Sequence, residues 1–182
     1  MKALQLVFTF LLVFSTCVQT LDIFEAVRQD NAKGIKLAID SGENIDKIGP
    51  GGQTPLMHAV LQGQTKAVET LLKLGASTSI GEKDGYTPMH AAGFQGRARI
   101  AQALINHGLD PSDQHSDGFM PIHRACWGSE KRHTDTVRTL LKNGVPHDQV
   151  AANGNTPLDA ANQHGNKRTI ELLKGWTSKS EL

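Results

Sequence analysis

Two short helices are predicted between Gly85 and Gly108, where apolar and polar residues follow the clearest helical pattern of the chain. Thr87 and Pro88 mark a helix start. A threonine hydroxyl can accept hydrogen bonds from the unpaired backbone N–H groups there, and proline suits the first helical position. Apolar and small residues then recur at helical spacing, and each run ends at a glycine. These positions are Met89, Ala92 and Gly93 before Gly96, and Ile100, Leu104 and Ile105 before Gly108. Helices this short cannot bury their apolar faces on each other alone, so the pattern predicts neighbours of the same shape.

The same pattern returns along the chain at a regular step. The run Thr-Pro-Leu-Met-His-Ala begins at Thr54, and Met-Pro-Ile-His-Arg-Ala begins at Met120, so that Thr87 stands midway between the two starts. A further copy, Thr-Pro-Leu-Asp-Ala-Ala, begins at Thr156, three residues later than an equal step would place it. Glycines that close the second helix of each unit keep this step, at Gly42, Gly75, Gly108 and Gly144. Such repetition predicts an array of units that share one core.

A period of about 33 residues built on T-P-L-H-x-A resembles the ankyrin repeat, in which a β-turn and two antiparallel helices form each unit. The resemblance extends over residues 21–175. It implies an all-α fold, an ankyrin-repeat solenoid of about five stacked helix-turn-helix units with hairpin-like loops. The expected boundaries are an N-terminal capping repeat at 21–50, full repeats at 51–83, 84–116 and 117–152, and a C-terminal capping repeat at 153–176.

The third full repeat departs from this pattern in two ways. Met120 replaces the capping threonine, and three extra residues fall within the segment 128–134, between the two helices. We interpret that segment as a solvated loop. The alternative is a charged finger beside the binding face.

Both ends of the chain carry features of the secretory pathway. Residues 1–20 combine Lys2, an apolar run and a small or polar exit, which is typical of a signal peptide cleaved after Cys17 or Thr20. An uncleaved membrane anchor is the alternative, since residues 3–21 are uncharged and close to the length of a membrane span. Residues 177–182 form a C-terminal tail whose last four residues, Lys179 to Leu182, resemble the K-D-E-L retrieval signal with serine in place of aspartate. We expect the lumen of the endoplasmic reticulum, with an extracellular or periplasmic location as the alternative.

Charge and cysteine content narrow the classes of partner. The chain has 19 basic and 18 acidic residues, and removal of Lys2 with the signal peptide leaves 18 of each. This balance gives no reason to expect nucleic acid or an anionic membrane as partner, and membrane contact is expected only if the N-terminal segment is uncleaved. Of the two cysteines, Cys17 belongs to the signal region, so Cys126 is not expected to form an intramolecular disulfide.

No set of residues in the sequence predicts catalysis or metal binding. Eight histidines are present, but there is no H-E-x-x-H motif and no cysteine pair at zinc spacing. The ankyrin resemblance implies that His90 and His123 make structural hydrogen bonds between neighbouring loops. Cys126 follows His123 by one helical turn, at a place where small residues normally pack. We therefore predict no enzyme activity, no cofactor and no metal; the alternative of another class is a metal-binding or enzymatic protein that uses the histidines.

The aromatic residues supply the candidate binding site. Tyr86 and Phe119 each follow the turn glycine of their repeat, and Phe94 and Trp127 each stand seven residues after the position that aligns with Thr54. In ankyrin proteins these two places commonly face the concave groove and contact partners, and buried aromatics are frequent anchors of interfaces. The predicted site also contains Leu61 and Gln163 at the equivalent positions of the flanking repeats, and a rim of Lys83, Asp84, Asp117 and His164.

A single aromatic after a turn glycine is weak evidence for a binding surface, because such residues often pack on their own loop in ankyrin repeats. Phe94 and Trp127 on neighbouring inner helices carry more weight. We interpret the chain as a non-catalytic protein–protein interaction module with a protein partner. The alternative is a regulatory or inhibitory subunit that masks a site on a partner enzyme.

Overall fold

The computed structural model describes residues 22–49, 51–82 and 84–176, and this part of the chain contains ten α-helices and no strand. The helices form five antiparallel pairs, each with an inner and an outer helix. In chain order they are α1 (Ile23–Arg28), α2 (Ala32–Asp40), α3 (Pro55–Gln62), α4 (Thr65–Lys73), α5 (Pro88–Phe94), α6 (Ala98–Asn106), α7 (Pro121–Cys126), α8 (Lys131–Lys142), α9 (Pro157–Gln163) and α10 (Lys167–Gly175). Inner helices pack on inner helices and outer helices on outer helices. The predicted all-α solenoid is confirmed.

The loops between pairs share one hairpin-like closure. In each loop a backbone N–H donates to the carbonyl four residues further on, at 2.9–3.0 Å. The four bonds run from Gly49 to Gln53, Glu82 to Tyr86, His115 to Phe119 and Ala151 to Asn155. Their spacing repeats the steps of the sequence motif. Gly108, which closes α6, adopts a φ of +102°, a conformation that a residue with a Cβ rarely adopts.

The inner helices α3, α5, α7 and α9 begin at proline, and one of their threonine caps differs from the expectation. Thr54 accepts a hydrogen bond from the Met57 amide at 3.2 Å, as a capping threonine should. The Thr87 hydroxyl makes no cap bond and lies 2.8 Å from Nδ1 of His90. The cap expected at Thr87 is therefore absent, because the histidine of the repeat motif takes its hydroxyl.

One continuous core runs through the array, and small residues let its inner helices approach closely. The alanine that ends each T-P-L-H-x-A copy is fully buried, at Ala59, Ala92, Ala125 and Ala161. Leu56, Val68 and Leu71 and their equivalents fill the space between inner and outer helices. Trp176 is half-buried and packs against the C-terminal end of this core.

Side chains at the start of the outer helices tie neighbouring repeats together. Each donates to a backbone carbonyl near the end of the inner helix of the preceding repeat, where the helix leaves that carbonyl without an intrahelical partner. The pairs are Gln64 to Arg28 (2.8 Å), Arg97 to Leu61 (2.9 Å), Arg132 to Gln95 (3.0 Å) and Asn166 to Gly128.

The interpretation of segment 128–134 as a solvated loop is correct only for residues 128–130, where Ser129 and Glu130 are exposed; the rest of the segment is helical, so the alternative of a charged finger is wrong. Lys131 begins α8, which has 12 residues where the outer helices α4 and α6 each have nine. His133 and Thr134 are buried, and His133 Nε2 lies 3.2 Å from the Phe94 carbonyl oxygen. The insertion lengthens the outer helix and packs on the preceding repeat.

Residues 1–21, 50, 83 and 177–182 lie outside the described part of the chain, so the predicted signal peptide, Lys83 and the tail are not described by the structure. Within the described part, no helix has both the length and the apolar character needed to cross a membrane.

Gly93 provides a test of the close inner-helix packing. A Cβ at this position would meet the backbone carbonyl oxygen of Pro121 on the next inner helix, which cannot move without shifting α7. We expect Gly93→Ala to lower the free energy of unfolding by about 1–3 kcal/mol in urea titrations. Gly175→Ala is the matched control, because nothing lies within 4 Å of a Cβ there, and it should leave stability unchanged or raise it by up to ~1 kcal/mol. Equal stability of the two variants would contradict the packing described here.

Candidate binding groove

The packing of α5 against α7 brings the predicted aromatics together. Phe94 is the last residue of α5, and Trp127 directly follows α7, so the two occupy equivalent ends of adjacent inner helices. Their rings meet edge to face, with centroids 6.4 Å apart and an interplanar angle of 86°. Phe119 contacts Trp127 in the same manner at 5.4 Å. Such T-shaped pairs are a favoured arrangement of aromatic rings.

Arg124, a residue that the sequence pattern did not predict for this site, joins these rings to Tyr86. Its guanidinium carbon lies 4.8 Å from the ring centroid of Tyr86, 4.7 Å from that of Phe119 and 4.2 Å from that of Trp127. The side chain is almost wholly buried, with 5% of the residue exposed. Three cation–π contacts therefore hold the arginine among aromatic faces. We call Tyr86, Phe94, Phe119, Trp127 and Arg124 the aromatic cluster.

Asp117 balances the charge of Arg124. Nη2 of Arg124 donates to the Asp117 carboxylate and also to the Tyr86 hydroxyl, at 2.6 Å for the latter. The carboxylate further accepts from the Tyr86 hydroxyl at 2.7 Å and from the Phe119 amide at 3.1 Å. Asp117 was predicted as a rim residue, and the structure places its carboxylate within the hydrogen-bond network that fixes the aromatic cluster.

The electrostatics of Asp117 follow from these partners. Burial alone would raise the pKa of its carboxyl, but hydrogen bonds from Tyr86, His115, the Phe119 amide and Arg124 outweigh that effect and hold the pKa well below its usual range. The carboxylate is therefore ionised at neutral pH and stays paired with Arg124.

His115 is a second residue of the site that the sequence pattern did not predict. Its ring stacks on Tyr86 with centroids 4.0 Å apart at 15°. Nε2 lies 2.8 Å from the Asp84 carbonyl oxygen, and Nδ1 lies 2.9 Å from the Asp117 carboxylate. The histidine thus links two adjacent hairpin-like loops and fixes the orientation of the tyrosine ring.

A cavity of about 250 Å³ opens beside the aromatic cluster. Its walls include five residues of the predicted site, namely Leu61, Asp84, Tyr86, Phe94 and Trp127, together with Glu82 and Arg124. Phe94 is half-exposed there, at 51% of its full surface. The arrangement offers one concave, mainly apolar pocket with charged groups at its edge.

Two other predicted residues lie beyond this cavity on the C-terminal side. His164 contacts Trp127, with ring centroids 5.8 Å apart. Gln163 is exposed, and its amide oxygen accepts from the Asn155 side chain at 3.3 Å. They extend the surface toward the last repeat without lining the cavity.

The histidines and the cysteine with candidate chemistry are held in structural positions. His123 Nε2 lies 2.9 Å from the Gln149 carbonyl oxygen in the next loop, which is the inter-loop bond implied by the resemblance. The equivalent bond expected of His90 is absent, because its Nδ1 lies 2.8 Å from the Thr87 hydroxyl of its own repeat and its buried Nε2 makes no hydrogen bond with a described residue. Burial lowers the pKa of His90 and His123 and raises the pKa of the fully buried Cys126 thiol above its usual range. In the described part of the chain, no group of three or more His, Cys, Asp and Glu side chains is placed to hold a metal ion.

Replacing Asp117 should destabilise the protein in a pH-dependent manner. Asp117→Asn leaves buried Arg124 without its counterion, and we expect a loss of about 1–3 kcal/mol at pH 7, toward the lower end because the carboxylate is partly exposed. The folded pKa of this carboxyl lies below its unfolded value of ~3.9, so its contribution is fully present above that value and is lost as pH falls through the folded pKa.

The difference between the original protein and Asp117→Asn should therefore be largest near neutral pH and narrow progressively below about pH 4. Denaturant titrations at a series of pH values measure it. Asp148→Asn removes an exposed carboxylate from the next loop and should change stability by less than ~0.5 kcal/mol at pH 7. A pH-independent difference for Asp117→Asn would contradict the ion-pair assignment.

Two family models match the chain, and both describe ankyrin repeats. The model of ankyrin repeats (3 copies) matches residues 23–115, more than half of the 182 residues, and the model of ankyrin repeats (many copies) matches residues 127–173. No curated protein matches the chain. Ankyrin repeats generally act as protein–protein interaction modules and are typically non-catalytic. With its five stacked helix pairs and these two matches, the chain belongs to the ankyrin repeat family.

Proposed function

We propose that the protein is a non-catalytic binding module that engages a protein partner through the cavity and the aromatic cluster. The observation that carries this proposal is the convergence of Tyr86, Phe94 and Trp127, from two adjacent repeats, around buried Arg124 at the edge of a concave cavity. Aromatic residues that fill or border such pockets supply most of the binding energy in many interfaces.

Rigidity of the aromatic cluster supports the proposal. Tyr86 is fixed by its hydroxyl bond to Asp117 and by stacking on His115, and Trp127 is held between Arg124 and two aromatic edges. Side chains that are already ordered lose little conformational entropy when a partner binds. Exposed apolar surface is retained on Phe94 despite this order, as expected for a surface that a partner covers.

Removal of the two inner-helix aromatics tests the proposal. We expect the Phe94→Ala, Trp127→Ala double variant to lower recovery of partner proteins by at least tenfold, because each anchor of this kind often contributes about 2 kcal/mol or more. Cross-linking and affinity capture with tagged protein, quantified by mass spectrometry, measure recovery. Circular dichroism must show that the variant keeps its helices.

The matched control is Leu37→Ala, Leu74→Ala. It removes two exposed apolar side chains on the outer-helix side: Leu37 lies in α2 and Leu74 directly follows α4, with 63% and 38% of these residues exposed. This control should capture every partner that the original protein captures. A folded Phe94→Ala, Trp127→Ala variant with unchanged recovery of all partners would rule out the aromatic cluster as the binding site.

We further propose that the protein works in the secretory pathway, in the lumen of the endoplasmic reticulum rather than after release. The support is the apolar N-terminal pattern and the Lys179–Leu182 sequence, both of which lie outside the described residues.

Deletion of Lys179 to Leu182 should move the protein from the cell lysate into the medium, because a retrieval receptor would no longer bind its tail. Immunoblots of both fractions measure this shift. Ser180→Asp gives the chain a full K-D-E-L sequence and serves as the control for efficient retention. An unchanged distribution after deletion, with Ser180→Asp retained, would exclude retrieval by this tail.

A further inference from the structure

We infer that the cavity receives the side chain of a lysine or arginine from the protein partner. This inference rests on the proposed binding function and specifies the chemistry of the residue that enters. Three properties of the cavity lead to it: its size, its walls and the charge at its edge.

The size of the cavity matches one long side chain. Its volume of about 250 Å³ lies below the roughly 300–1,000 Å³ that is usual for small-molecule sites. Leu61, Phe94 and Trp127 form an apolar wall on which the methylene groups of a lysine or arginine would pack. The half-exposed ring of Phe94 also offers a face for a cation–π contact.

The charge at the edge of the cavity favours a cation. Glu82 and Asp84 both line it, and Glu82 is held in place by the Gln53 amide at 2.9 Å. The positive charge of Arg124 is already balanced by Asp117. Burial lowers the pKa of His90, which also lines the wall, so that its ring is neutral at pH 7. The carboxylates of Glu82, Asp84 and Asp117 outnumber the two cations, Arg124 and Lys83, so the formal charge around the cavity is negative.

An acidic side chain is less well matched to the cavity, because Arg124, the cation of its described wall, is already paired with Asp117. Nη2 of Arg124 donates to Asp117 and Tyr86, and Nε is enclosed without contact to solvent. A carboxylate entering the cavity would also face the like charges of Glu82 and Asp84. The cavity is therefore complementary to a basic residue with an apolar stem.

Small probes test this chemistry independently of any natural partner. N-acetyl-arginine amide is titrated into the purified protein, and N-acetyl-citrulline amide, of the same shape but without charge, is titrated in parallel. Nuclear magnetic resonance follows the indole N–H of Trp127, which is assigned by its loss in Trp127→Phe. We expect the arginine probe to shift this signal and to bind about 3- to 30-fold more tightly than the citrulline probe.

The double variant Glu82→Gln, Asp84→Asn should abolish the preference for arginine while keeping the shape of the cavity. Its matched control is Glu69→Gln, Glu171→Gln, which removes the same amount of charge from exposed positions on outer helices and should leave the preference intact.

Equal binding of the two probes, tighter binding of N-acetyl-glutamate amide, or no shift of the Trp127 signal with any probe would each overturn the inference. The capture experiment on Phe94→Ala, Trp127→Ala stands apart from these outcomes. If the probes fail while that variant loses its partners, the aromatic cluster binds a partner by another chemistry. If the probes behave as expected while capture is unchanged, the cavity binds basic groups but does not carry the proposed function.

Discussion

Close packing of neighbouring inner helices is the constraint on which the rest of this structure depends. Ala59, Ala92 and Ala125 occupy the same position in successive repeats and are fully buried, and Gly93 leaves room for the carbonyl of Pro121. Larger residues at these positions would push the repeats apart. The short distance between α5 and α7 places Phe94 in contact with Trp127. The candidate site is thus a direct consequence of how the repeats stack.

The aromatic rings and the Asp117 carboxylate replace the hydration that the Arg124 guanidinium loses on burial. A charge removed from water costs several kcal/mol unless other groups replace its hydration. Here three aromatic faces, one carboxylate and one hydroxyl surround Arg124, and they come from residues of two repeats. Because Tyr86 belongs to the preceding repeat, its hydrogen bonds with Asp117 and Arg124 also connect the two neighbouring loops. The same contacts that compensate the buried charge therefore order the surface beside the cavity.

The period of the sequence was sufficient to predict the helix pairs, the loop closures and the places of the four aromatics. It could not predict that Arg124 reaches across to Tyr86, because the motif specifies where a residue stands but not how far its side chain extends. One signal was available: the position of Arg124 in the motif is occupied by His58, Ala91 and Ala160 in the other copies, so a long charged residue there is an exception. His115 gave no such signal, since loop residues follow no periodic pattern.

Two local errors have similar physical reasons. The segment 128–134 is polar and carries no apolar period, so its helical part was not recognised, although Lys131 and Asp135 form a pair at helical spacing, 2.6 Å apart. The cap at Thr87 was expected from propensity alone. Propensity does not register that His90, three residues on, competes for the same hydroxyl.

The cavity arises from variation at two positions that the fold leaves free. Ala91 lines it at the motif position where the next repeat has Arg124, and the small side chain leaves space that the arginine borders. Seven residues after each motif start, Leu61, Phe94, Trp127 and Gln163 differ in size and polarity while the core alanines stay the same. Repeat geometry therefore determines where a partner can be contacted, and substitutions at these two positions determine what chemistry it meets. Ala91 and Arg124 at the first position, with Phe94 and Trp127 at the second, distinguish the two central repeats from their neighbours.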